Sequence, residues 1–355
     1  MNLPASPTRV RRSFAFLAAA ATVAATATGA APPPPPAPWG TPAPTARPVA
    51  ASTPQAGGPL QSWKESTSKR AIGRFLQKIQ ASGPASTAPA DARFAVLATD
   101  GVLWEAGVVP LEAAWALDRV RSLAPTKPEW ASTPPFSTLL GGDPGALARL
   151  TDADLAQLTA AAVAGLDQDE VRREVLAWVR NAPPSGRALA GQARPAVREL
   201  LELLRTWGFR NYVVSDGPVE VTRALVEALY EIPPDRVIGP PSQLEVRPRS
   251  GRPTLVFPGE PAPDVSGASR LRSVAQQLGT RPLVVAGALE TDGPLIEWAS
   301  GGKAPFLALG FVDTASPSQS RRRPLSTEVL GGAWTVVVQS QHWQSPAGAP
   351  TGRGK

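Results

Sequence analysis

The stretch that most constrains the fold is a short apolar run that ends in an Asp-Gly turn, Arg93-Phe-Ala-Val-Leu-Ala-Thr-Asp-Gly-Val-Leu-Trp104. The residues from Phe94 to Leu97 predict a buried strand, because short apolar runs bounded by turn residues are typical of sheet cores. Asp100 then follows the carboxyl end of this strand. Open α/β sheets bind their ligands at that edge, so Asp100 is the first candidate functional residue.

Alternating strands and helices are predicted from residue 195 onward. Strands are predicted at 209–214, 236–238, 243–247, 253–257, 282–286, 306–311 and 334–338. Helices are predicted at 195–207, 219–231, 267–278 and around 295–298. This alternation favours the α/β class with a doubly wound parallel sheet.

Helical periodicity without strands fills the segment between the first strand and residue 195. Amphipathic helices are predicted at 110–123, 144–149, 152–165 and 168–181. They predict a helical cap over residues 110–194, inserted after the first core strand. A further helix at 66–80 precedes that strand, so the core is expected to comprise residues 62–109 and 195–344.

The N-terminal segment predicts export. Arg9, Arg11 and Arg12 precede an apolar run from Phe14 to Val23, and small residues follow. This is the pattern of a signal peptide, here residues 1–31, and it predicts a periplasmic or extracellular protein. The apolar run is short for a membrane span. An uncleaved N-terminal anchor is the alternative, so contact with a membrane is expected only through this segment.

Composition sets the remaining limits. Residues 32–61 are rich in Pro and Ala and predict an extended spacer, and residues 345–355 predict a disordered tail. The chain has no cysteine, which excludes disulfides and a thiolate nucleophile. The formal charge is +7, but the basic residues are scattered and no aromatic-basic motif accompanies them. We therefore expect no nucleic-acid partner.

The stretch around Asp100 resembles the first motif of the haloacid dehalogenase superfamily, in particular a phosphoserine-phosphatase-like branch whose motif is Phe-Asp-Asn-Asp-Gly-Thr-Leu-Trp. Asp100, Gly101, Leu103 and Trp104 match that motif, whereas Ala98 stands at the position of the nucleophilic Asp. The resemblance covers nearly all of residues 62–344. It implies a Rossmann-like core with a helical cap after the first strand.

The resemblance also implies roles for individual residues. Asp100 takes the acid/base position, and Ser215 takes the phosphate-binding position at the end of the second core strand, with Gly101, Asp216 and Gly217 beside the ligand. Glu290 and Asp292 correspond to acidic residues that, with Asp100, would bind Mg²⁺. The family's Lys is missing, since Val265 follows Asp264, and Arg270 could replace its charge only in a shifted register.

These assignments leave three functions open. Loss of the nucleophile favours an impaired enzyme that binds a phosphorylated or anionic small molecule, or a protein partner. The alternative is an active Mg²⁺-dependent phosphomonoesterase in which Asp100 acts with a metal-bound water. The third is a structural or cell-envelope interaction domain. The single histidine, His342, argues against a Ser-His-Asp enzyme.

Overall fold

The computed structural model describes residues 59–82, 89–105, 109–143, 145–181, 193–240, 242–261, 268–289, 291–302, 304–312 and 334–344. The predicted signal peptide, nearly all of the predicted spacer and the predicted tail lie outside the described residues. So do Glu290, Asp264 and Val265.

Eight strands are described. They are β1 (Phe94–Ala98), β2 (Arg210–Val214), β3 (Val237–Ile238), β4 (Glu245–Arg249), β5 (Arg252–Val256), β6 (Val284–Ala288), β7 (Leu307–Val312) and β8 (Trp334–Val338).

Eleven α-helices accompany them. They are α1 (Thr67–Ala81), α2 (Leu111–Leu123), α3 (Phe136–Leu140), α4 (Ala146–Arg149), α5 (Asp152–Val163), α6 (Gln168–Arg180), α7 (Pro195–Thr206), α8 (Val219–Tyr230), α9 (Ala268–Leu278), α10 (Gly293–Ser300) and α11 (Gln339–His342). The predicted bounds differ from these by a few residues at most, and α3 and α11 were not predicted.

The core is a six-stranded sheet with the order β3-β2-β1-β6-β7-β8, in which all neighbours are parallel. The predicted doubly wound parallel sheet is thus confirmed. All five residues of β1 are buried, as expected for a strand covered by helices on both faces. The chain leaves β1 toward β2 and β3 on one side and returns through β6 on the other. The strand order therefore reverses at β1 and β6, where such sheets bind ligands.

The two strands predicted at 243–247 and 253–257 are not part of this sheet. β4 and β5 pair only with each other, antiparallel, as a separate hairpin. Its two-residue turn, Ser250 and Gly251, has positive φ at both positions, which suits the twist of a tight hairpin. Parallel pairing would have needed a crossover of a dozen or more residues, and two residues cannot provide it.

Helices α2 to α6 lie between β1 and β2, where the cap was predicted. The β4–β5 hairpin attaches to the junction of α5 and α6 through backbone bonds from Gly165 N to Phe257 O and from Phe257 N to Leu166 O, 2.8 and 2.9 Å long. Arg249 of the hairpin pairs with Asp167 and Glu170. The helical insert and the hairpin therefore pack together. In the part of the chain that is described, no helix is long and apolar enough to cross a membrane.

The first and last described segments meet beside the sheet. Trp63 and Trp343 form an isolated antiparallel bridge, and their rings pack edge to face. The indole of Trp63 also donates to Ala196 O at 2.8 Å. These contacts fix the N-terminal helix α1 against the edge of the sheet, where it packs on β7 and β8.

Gly310 in the buried strand β7 provides a test of this packing. A Cβ at Gly310 would lie 1.9 Å from Leu289 Cδ1 and 3.1 Å from Trp334 Cε3. We expect Gly310→Ala to lower the free energy of unfolding by ~1–3 kcal/mol, the usual cost of overpacking. Gly73→Ala is the matched control, because its Cβ would meet nothing within 4 Å and a helix gains ~1 kcal/mol from Ala over Gly. Denaturant unfolding measures both, and equal effects would contradict the packing of β7.

Candidate functional site

The candidate site lies at the carboxyl edge of the three central strands. Asp100 follows β1, Ser215 follows β2 and Asp292 follows β6. The pairing of Ala98 with Val214 and of Leu97 with Ala286 aligns these strand ends. The structure thus brings the ends of the three sequence motifs to one place.

The turn after β1 holds Asp100 in a fixed orientation. Thr99 O accepts hydrogen bonds from Val102 N and Leu103 N, 3.2 and 2.8 Å long. The buried indole of Trp104 donates to Asp100 Oδ1 at 2.8 Å. Asp100 is half-buried, so its carboxylate combines a fixed position with partial access to solvent.

Ala98 is the last residue of β1 and is buried. A methyl group at this position carries no oxygen. The position that the resemblance assigns to the nucleophile therefore supplies neither an attacking atom nor a metal ligand.

Ser215 is bonded to a buried carboxyl group that the sequence motifs do not include. Its hydroxyl lies 3.1 Å from Glu112 Oε1 and donates to it, and Thr222 Oγ1 lies 3.3 Å from the same oxygen. Gly217 N donates to Ser215 Oγ at 3.0 Å. Glu112 is 2% exposed, and its Oε2 has no hydrogen-bond partner among the described residues.

The environment of Glu112 favours its neutral form. Burial, together with the negative charge of Asp100, raises the pKa of Glu112 to about 8 and outweighs the hydrogen bonds from Ser215 and Thr222. A protonated carboxyl at neutral pH reduces the cost of burying this group.

Arg270, from α9, lies between two of the predicted site carboxylates. Its Nη1 is 2.6 Å from Asp292 Oδ1 and its Nη2 is 2.7 Å from Asp216 Oδ2. Asp292 is fully buried, and its Oδ2 accepts from Ala288 N at 2.8 Å. Burial alone would lower the pKa of Arg270, but the two carboxylates more than offset this and raise it. The guanidinium therefore stays charged and neutralises part of the acidic cluster.

These contacts do not fit a bound Mg²⁺. Asp292 is committed to Arg270 and to a backbone amide, and Ala98 has no ligand oxygen. Mg²⁺ requires oxygen ligands in a nearly octahedral arrangement. Among the described residues, no group of three or more acidic or His side chains could hold a metal ion. The predicted ligands Asp100 and Asp292 thus have other partners, and Glu290 is not described.

Two residues of the site escaped the sequence motifs. Glu112 and Thr222 sit on the buried faces of α2 and α8 and contact Ser215. The available signal for Glu112 was its position three residues before the buried Trp115. A carboxylate on an apolar helix face is rarely buried without a partner.

Two other features lie apart from these residues. The ring nitrogen Nδ1 of His342 is 3.2 Å from Ser68 Oγ, on α1. A cleft of about 400 Å³ opens beside the end of β3, between α8 and α9. Asp100, Ser215 and Asp292 do not line it.

The sequence model of the haloacid dehalogenase-like hydrolase family matches residues 129–295. The matched segment includes Ser215, Asp216 and Asp292 but not Ala98 or Asp100. No curated protein matches the chain.

The chain is similar to several solved structures. A protein of unknown function from Bordetella pertussis Tohama I has 15% sequence identity and a TM-score of 0.45, over 69% of this chain and 98% of that chain. A functionally unknown protein from Anaerococcus prevotii DSM 20548 has 14% identity and a TM-score of 0.45, over 77% and 93%. A probable phosphoserine phosphatase from Vibrio cholerae has 17% identity and a TM-score of 0.34, over 65% and 60%.

The raised pKa of Glu112 predicts a pH dependence of stability. The folded protein keeps a proton on Glu112 up to pH about 8, whereas an unfolded chain releases it near 4.5. The free energy of unfolding should therefore fall as pH rises between these values, by at most ~1.4 kcal/mol per pH unit. Glu112→Gln preserves the neutral shape, so its decline should be shallower. Urea unfolding of both proteins across this interval measures the difference, and identical slopes would show that Glu112 does not carry it.

The Arg270 contacts predict a gain of cation binding when the guanidinium is removed. Arg270→Met leaves Asp292 buried without its counter-charge, so the free energy of unfolding should fall by ~3–5 kcal/mol. Millimolar Mg²⁺ or Ca²⁺ should then raise the Tm of the variant but not that of the wild type, because a ligand stabilises only a fold that binds it.

Arg249→Met is the matched control for Arg270→Met. Arg249 also pairs with two carboxylates, but its side chain is 38% exposed, so the loss should stay below ~1 kcal/mol. Stabilisation of the wild type by either cation would contradict the assignment of Arg270.

Proposed function

We propose that this chain, whose residues 129–295 match the haloacid dehalogenase-like hydrolase family, is an exported, non-catalytic member of that superfamily that acts by binding. One observation carries the proposal: the Arg270 guanidinium bridges Asp216 and Asp292, and Asp292 corresponds to one of the acidic residues with which the family's phosphatases bind Mg²⁺. Because the positive charge of Arg270 is already neutralised by these two carboxylates, it cannot stabilise the negative charge of a phosphoryl group during its transfer.

Ala98, at the end of β1, also supports a non-catalytic role. Phosphatases of this superfamily form a covalent intermediate on a carboxylate, and Ala98 offers none. When catalytic residues act together as a unit, removing one of them lowers the rate by several orders of magnitude. Asp100 keeps its acid/base position and its bond to Trp104, but an acid/base group without a nucleophile has no proton transfer to perform.

The proposal also concerns what the protein binds. The candidates are a phosphorylated or anionic small molecule in the cleft and a protein partner. Export is supported by the basic and apolar pattern of residues 1–31, and the Pro/Ala-rich spacer would hold the folded domain away from the membrane surface.

The alternative is a phosphomonoesterase that uses Asp100 and a metal-bound water. The retained orientation of Asp100 favours it. It requires Arg270 to release Asp292, a buried carboxylate that it contacts at 2.6 Å. Such a release would leave two opposite charges buried without their partners, which is costly. We therefore rank binding first.

Hydrolysis of a generic aryl phosphate with Mg²⁺ tests the proposal. Wild-type protein (residues 32–355) should release no more phosphate than its Asp100→Asn variant, because neither has a nucleophile. Ala98→Asp alone should stay inactive, since Arg270 still occupies the metal-binding carboxylates. Turnover by the wild type that Asp100→Asn abolishes would overturn the proposal in favour of the metal-bound water.

Thermal unfolding separates a binder from a purely structural domain. A specific ligand must raise the Tm by mass action. A panel of anionic and phosphorylated small molecules is therefore the second measurement, and a concentration-dependent rise identifies the bound class.

A further inference from the structure

Ser215 stands where members of the superfamily hold phosphoryl oxygens, and here its hydroxyl is occupied by a side chain of the same molecule. We infer that Glu112 fills the phosphoryl position and is the residue that sets what the cleft accepts, so that phosphate is excluded. This inference rests on the family position of Ser215 that the proposed function uses.

The contacts of Glu112 are those of a bound oxyanion or acid. One of its oxygens accepts from both Ser215 and Thr222, at 3.1 and 3.3 Å, and these two hydroxyls lie 3.2 Å apart. All three side chains are buried. The hydroxyl donors at the end of β2 are therefore satisfied without an external ligand.

The turn after β2 lies beside the aliphatic part of the Glu112 side chain. A Cβ on Gly217 would lie 3.4 Å from both Cβ and Cγ of Glu112 and 3.3 Å from Ser215 Oγ, so about one methyl group would fill the space between them. A phosphate that reached Ser215 would have to displace the carboxyl.

The helix that carries Glu112 is held in place. Leu111, Trp115 and Leu117 of α2 are buried, and Asp118 accepts from the indole of Trp178 at 3.0 Å. Glu112 therefore cannot leave the site by a movement of the helix without breaking this packing. The exclusion is part of the folded core.

The surrounding charges act in the same direction. Asp100 is close enough to raise the pKa of Glu112. Two buried guanidiniums lie nearby: Arg270 is shared by Asp216 and Asp292, and Arg194 donates to Gly101 O at 2.7 Å. A phosphate dianion would enter an environment with no uncommitted cation among these residues. Of the candidates named for the binding role, this inference removes the phosphorylated molecules and keeps anionic ligands without a phosphoryl group and a protein partner.

Binding of inorganic phosphate, measured by titration calorimetry and by the shift in Tm, tests this inference. Wild type should show no saturable binding. Glu112→Ala removes the carboxyl and frees the hydroxyls of Ser215 and Thr222, and should bind phosphate saturably, with an affinity at least about tenfold above the upper limit measured for the wild type. Adding Ser215→Ala to Glu112→Ala should abolish that gain.

Glu112→Gln is the matched control, because it keeps the shape and the accepting oxygen but cannot ionise. It should exclude phosphate as the wild type does. If Glu112→Gln bound phosphate as tightly as Glu112→Ala, the inference would be wrong. Phosphate would then be excluded by the charge of Glu112 and not by the space that its side chain fills.

Saturable phosphate binding by the wild type would overturn the inference whatever the variants do. So would a folded Glu112→Ala, or its smaller polar counterpart Glu112→Ser, that fails to bind phosphate. Neither result bears on turnover, which tests the proposed function separately.

Discussion

A single buried guanidinium connects the two halves of the sheet at the site. Arg270 reaches from α9 to Asp216 after β2 and to Asp292 after β6, across the end of β1. Burying an ion pair costs desolvation energy that its Coulomb attraction only partly returns, so these contacts specify the arrangement more than they stabilise the fold. They hold the ends of the two strands that flank β1 at a fixed separation. In doing so they occupy the carboxylates that a divalent cation would need.

Glu112 occupies the hydroxyls of Ser215 and Thr222 in the way that Arg270 occupies the two carboxylates. A phosphatase site of this fold must balance a phosphoryl dianion with a metal ion and a basic side chain. In the role proposed for this chain, Arg270 takes the place of the metal ion and Glu112 that of the phosphoryl group. Arg270 balances the charges of Asp216 and Asp292, and burial with the nearby Asp100 raises the pKa of Glu112 to about 8, which keeps this group neutral. A site that had merely lost its nucleophile would keep open positions for both ligands.

The sequence predicted the fold well because its signals are local. The apolar run from Phe94 to Leu97 and the strand before Ser215 are bounded by turn residues, and a parallel strand order follows from the helices between them. The β4–β5 hairpin was misplaced because strand periodicity does not identify a partner. Only the two-residue interval at Ser250 and Gly251 distinguishes a hairpin from two sheet strands. The site was predicted in part. Asp100, Ser215 and Asp292 follow strand ends, whereas Glu112 lies on a helix and reaches Ser215 only through tertiary packing.

Arg270 shows that comparing a chain with a motif residue by residue can miss a side chain that reaches the site from another position. Matched to the family's Lys, Arg270 is out of register and counts as a loss. In the fold, Arg270 lies in the first turn of α9, and its long side chain reaches Asp216 and Asp292. The same reasoning applies to Ala98. A carboxylate at this buried position would need a counter-charge of its own, and the Arg270 guanidinium already pairs with Asp216 and Asp292. The alanine is therefore compatible with the Arg270 arrangement in a way that the family's aspartate is not. Ala98 and the ion pairs of Arg270 therefore support the proposed non-catalytic role independently of each other.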